Sequence, residues 1–125
     1  MKNINLETGL ITEIENSGVE PTTALMLKDK FLKFFEQAEE WKEKADGINV
    51  TDASQKHDMQ MARTARLALR EIRINADKTR KALKEDSLRY GKAVQGVYNI
   101  IEFLIAPIEL RLENQERFVE IQAAN

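Results

Sequence analysis

The chain reads as all-α on three counts. Gly and Pro are scarce, at five and two of 125 residues. Charged residues make up 32% and hydrophobic ones 42%. Apolar side chains recur three and four residues apart over most of the length, the pattern of long amphipathic helices in a soluble bundle. The length suits one domain of ordinary size. The expected architecture is an elongated antiparallel helical bundle with a long coiled-coil hairpin. Residues 1–21 form a short helix and linker, 24–46 a helix, and 52–86 and 88–123 the arms of the hairpin.

Glu7 to Asn16 places Leu10, Ile11 and Ile14 on one side of a short helix, with Gly18 positioned beyond its end as a left-handed cap. Pro21 blocks continuation, and Thr22 or Thr23 supplies an N-cap for a helix starting near Ala24. That helix carries Leu25, Leu27, Phe31, Leu32, Phe34, Phe35, Ala38, Trp41 and Ala45 and stops at Gly47. Ile48-Asn49-Val50 is too short for a strand, so it is an extended connector whose apolar side chains pack on a helix end. Thr51 then caps the next helix, with Asp52 in its first turn.

From residue 62 a seven-residue register sets in. Ala62, Leu69, Ala76, Leu83, Tyr90, Val97 and Leu104 take one core position, and Ala65, Ile72, Thr79, Asp86, Ala93 and Ile100 the other. The polar run Lys84-Glu85-Asp86-Ser87 divides it into two arms, which places a hairpin turn near residue 86. The rival is a single bent helix, since no Pro or Gly pair forces a break there. Pro107 predicts a kink, and the last helix has no closing cap, so it either frays or belongs to a longer protein.

Several chemistries find little support. Cysteine is absent and His57 is the only histidine, which removes disulfides, thiolate sites and a His-based metal or catalytic cluster. Glu39, Glu40, Glu43 and Asp46 form a solvated or ion-paired face, not a di-metal site, because no Glu-x-x-His pair accompanies them. Ser54 beside His57 and Asp58 is a chance grouping. The expectation is a protein that is not an enzyme and takes no cofactor. No apolar run approaches the ~20 residues of a membrane span, and the first residues lack a secretory signal, so the expected location is the cytoplasm and no membrane partner is expected.

Charge is distributed unevenly. Residues 63–92 carry ten bases against four acids, between flanks that are both acidic. Arg63, Arg66, Arg70, Arg73, Arg80 and Lys84 share one helical face, and Glu102, Glu109, Glu113, Glu116 and Glu120 form a matching acidic stripe. A turn near residue 86 sets Glu102 and Glu109 opposite roughly Arg70 to Arg73 and Arg63 to Arg66, as interhelical ion pairs. Lys78, Arg80, Lys81, Lys84, Arg89 and Lys92 at the tip then exceed their acidic neighbours and become the nucleic-acid candidate, nonspecific and salt-sensitive. Tyr90 could stack on an unpaired base there, or fill its heptad position.

Small core residues around Leu69 and Ile72 permit close helix approach, within the chain or in a homo-oligomer. Phe34, Phe35 and Trp41 lie in an aromatic cluster that covers more than one face, so part of it is a candidate partner surface and the rest core.

Finally, Arg80-Lys81-Ala82-Leu83-Lys84, Gly91-Lys92-Ala93-Val94 and Ile105-Ala106-Pro107-Ile108-Glu109, with the Phe34 to Trp41 stretch, resemble small coiled-coil proteins of tailed phages and prophages. The resemblance implies a nonenzymatic interaction protein, an accessory factor in phage DNA metabolism, often longer at the C-terminal end. The alternatives are a nonspecific nucleic-acid binder and a virion scaffold or assembly factor.

Overall fold

A computed structural model describes residues 4–16, 20–86 and 91–124. Among them the chain forms five helices and no strands: α1 (Ile4–Asn16), α2 (Pro21–Asp46), α3 (Lys56–Asp86), α4 (Gly91–Glu116) and α5 (Phe118–Ala124). The helices pack around one core, with α3 and α4 making the most extensive contact. The Gly18 cap, Arg89, Tyr90 and the rest of residues 87–90 lie outside the described residues.

The helix starts depart from the capping read in the sequence. α2 begins at Pro21 rather than near Ala24, because the missing Pro N–H falls where a helix has no acceptor for it. Glu20 takes the cap position in extended geometry (φ −62°, ψ 150°), and no side chain caps it, Thr22 and Thr23 included. α3 begins at Lys56, not after Thr51. The Gln55 side chain wins the local competition: its Oε1 accepts from the Thr51 and Asp52 backbone N–H groups at 2.8 and 2.9 Å, holding residues 51–54 in a turn.

Leu27, Phe31 and Phe35 of α2, Leu69 of α3, and Val94, Val97, Ile101, Ile105 and Leu112 of α4 are fully buried. Phe31 and Phe34 meet edge to face, ring centres 6.3 Å apart, the favoured arrangement of two aromatic quadrupoles. Ile48 and Val50 of the connector are buried as well. Glu39, expected on a solvated or ion-paired face, is buried, with 6% of its surface exposed.

α4 runs on through Pro107 to Glu116, and only Arg117 separates it from α5. Pro107 lies on the exposed side of the helix, where water can satisfy the Phe103 carbonyl that loses its donor. The expectation that no segment could span a membrane needs amending, because α4 is long and apolar enough to cross one by length and composition. Much of that apolarity goes into the bundle core.

Candidate functional site

The arginine stripe of α3 is largely consumed by the acidic stripe of α4. The Arg73 guanidinium grips Glu109, donating from Nε to Oε2 at 2.7 Å and from Nη2 to Oε1 at 3.5 Å. Arg66 holds Glu116 in the same two-bonded way at 2.6 and 3.3 Å, and Arg63 adds a third bond to Glu116 at 3.1 Å. The planar fork of a guanidinium suits a carboxylate in this way, and the glutamate side chains are only 16% and 15% exposed. Glu116 is held below the usual carboxylate range, first by the Arg66 hydrogen bond and against the opposing pull of burial. Arg66 and Arg73 are raised by the same bonds.

These pairs, in reversed sequence order, make α3 and α4 antiparallel. Their register differs from the one a turn at residue 86 sets. Glu109 faces Arg73 and not Arg63 to Arg66, and Glu116 takes the latter place. α3 ends at Asp86, but α4 begins at Gly91 and not at residue 88, which moves the facing partners along α4. Glu102 pairs with no arginine among the described residues. Its charge stands near Tyr98, whose hydroxyl is raised first by burial and then by Glu102.

The proposed nucleic-acid residues are not equally available. Arg80 donates to Asp77 at 2.6 Å and to Gln95 at 3.1 Å, with its guanidinium over the Tyr98 ring. Lys81 reaches Asp77 at 3.2 Å, and Lys84 reaches Gln95 at 2.9 Å. Two arginine bonds and the lysine hold Asp77 below its ordinary range, Arg80 contributing most. Lys78 and Lys92 are exposed and have no ion pair among the described residues.

Of the proposed partner residues, Leu69, Phe34, Phe35 and Ile72 are all buried in the chain's own core. Within the single chain that leaves them little surface to offer a second molecule. Trp41 packs partly against the core, with the Lys44 ammonium 4.4 Å from its ring centre.

The surface that sequence reasoning missed lies on the outer side of α4. Phe103 is 80% exposed and Leu110 60%, and both line a groove with Asn99, Glu102, Ala106 and Pro107. A Phe that open to water is uncommon unless something covers it. The available signal was that α4 carries large apolar residues on the side away from its core-facing residues as well, whereas packing against α2 and α3 needs only one side. Among the described residues no group of three or more His, Cys, Asp or Glu stands together as a metal site. In comparison with known proteins, no family model, curated protein or solved structure matches the chain.

Proposed function

We propose that this protein is a nonenzymatic interaction protein of the phage coiled-coil type, working in the cytoplasm with α3 and α4 as its long coiled-coil hairpin. It acts by docking a protein on the outer face of α4. The observation that carries the reading is Phe103, 80% exposed beside Leu110 on a helix whose opposite side is fully buried. Such a strip, flanked by Glu102 and the paired glutamates, has the apolar centre and polar rim of a protein-binding surface. The phage resemblance supports an accessory role in DNA metabolism carried out through that contact.

Replacement of Phe103 and Leu110 by Glu in the full chain tests the reading. The expected result is unchanged helicity and melting, with loss of the products that chemical cross-linking yields for the wild type inside the expressing cell. Identical cross-linked products from the variant would reject α4 as the docking face. Nucleic-acid binding, the second reading, is supported by the exposed Lys78 and Lys92. It has fewer free cations than the sequence suggested, because Arg80, Lys81 and Lys84 already hold internal acceptors.

A further inference from the structure

The outer strip of α4 has the same layout in both directions. Asn99, Phe103, Ala106, Pro107, Leu110 and Asn114 are all exposed, at spacings of four, three, one, three and four. At 100° per residue these positions fall on one face of the helix. The pattern is therefore amide, large apolar, two small residues, large apolar, amide, centred between Ala106 and Pro107. An isologous contact needs a surface complementary to itself under a twofold axis.

We propose that this strip is the seam of an antiparallel homodimer, its occupant being a second copy of the chain. Across a twofold axis at that centre, Phe103 of one copy meets Leu110 of the other, and Ala106 meets Pro107. The amides of Asn99 and Asn114 face each other at the ends.

Charge selects both the occupant and its direction. None of the six strip residues is charged, so two copies bring no like charges into the centre. A parallel twofold would set the Glu102 flank against the opposite flank of the other copy, whereas the antiparallel one brings like flanks together, and the nearest acid there, Glu109 of the other copy, is already held by Arg73. Since Arg73 pairs with Glu109 and Arg66 with Glu116, Arg70 lies level with Leu112. Reversal about the strip centre carries that level to Ile101, next to Glu102 of the other copy. Arg70 is exposed and has no ion pair among the described residues, and Glu102 is exposed on the same flank. Opposite charges thus stand at matching heights on the rim, which steers the antiparallel encounter. Six residues a side fall well short of the roughly 20–30 of a standard interface, so the dimer forms only at high concentration.

The inference rests on reading the strip as an interaction surface and adds who occupies it. Sedimentation of the full chain over a wide concentration range tests it. The expected mass rises from 14.4 kDa toward twice that value, and Phe103→Glu moves the midpoint at least about tenfold higher with helicity unchanged. Single cysteines in this cysteine-free chain report direction. Ala106→Cys, beside the axis, forms a disulfide with its own copy. Asn99→Cys does not, because antiparallel copies hold the two sites about 22 Å apart, yet it links to Asn114→Cys when the two variants are mixed. A 14.4 kDa monomer at every concentration, or self-linking of Asn99→Cys, overturns the inference. If that monomer still forms Phe103-dependent cross-links to another protein, the docking surface survives and only the second copy is rejected.

Discussion

Arg66 and Glu116 meet across α3 and α4 through two hydrogen bonds, 2.6 and 3.3 Å long, and Arg63 closes on the same carboxylate. One glutamate on α4 thereby neutralises the beginning of the basic stripe on α3. Glu116→Ala leaves two arginines without their acceptor, one of them only 22% exposed, and is expected to cost about 1–2 kcal/mol in urea unfolding. A double-mutant cycle with Arg66→Ala isolates the pair: the coupling should be near 1 kcal/mol, and additive single effects would show that the contact contributes nothing.

The pH dependence of stability follows from two lowered carboxyl groups. Glu116 and Asp77 titrate lower in the folded protein than in the unfolded chain, so the unfolded state binds more protons as pH falls. Their contribution is complete above the unfolded carboxylate range, about pH 4–5, and is lost as pH falls through the lower folded values. Urea midpoints should be flat near neutrality and drop on acidification. Glu116→Gln is expected to flatten that acid limb, and an unchanged slope would remove Glu116 from the account.

Arg111 ties the C-terminal end of α2 to α4. Its guanidinium donates to the Ala45 carbonyl at 3.0 Å and the Ile48 carbonyl at 2.7 Å, satisfying acceptors that a helix end leaves open and placing positive charge at the negative end of the dipole. Gln115 adds an acceptor for the Val50 N–H at 2.5 Å. Arg111→Ala should cost about 2 kcal/mol and speed amide exchange around residues 45–50 before any other segment. Uniform exchange across the bundle would contradict a local clamp.

Leu69 distinguishes core from seam. Fully buried inside one chain, it predicts that Leu69→Ala lowers stability by about 2–5 kcal/mol at every protein concentration. A loss seen only where the protein associates would return Leu69 to an intermolecular seam.

What could be read from the sequence was the set of helices and the matching of charges, because three-and-four spacing and opposite stripes are local, periodic signals. Leu69, Val97 and Leu104 fill core positions that such periodicity marks, whereas Ile101 is buried where the register named Ile100. Helix starts were less legible, since Pro21 and the Gln55 side chain decide them through competing local bonds. The register between α3 and α4 depended on where α4 starts, which a continuous heptad pattern does not reveal. Arg111 and Gln115 act on backbone more than sixty residues away, so nothing nearby in the sequence announces their role. Phe103 was hidden for the opposite reason: in a helix with apolar residues on both its inner and its outer side, periodicity does not say which stay outside.

The claim on which the rest depends is that most of the arginine stripe on α3 is spent inside the molecule and the outer face of α4 does the binding. A photoreactive residue placed at 103, and separately at Lys78, in the full chain inside the expressing cell sets the two surfaces against each other. The account predicts a discrete protein adduct, of self or another chain, from position 103 and no nucleic-acid adduct from position 78. A nucleic-acid adduct from 78, with position 103 linking to no protein, would contradict it.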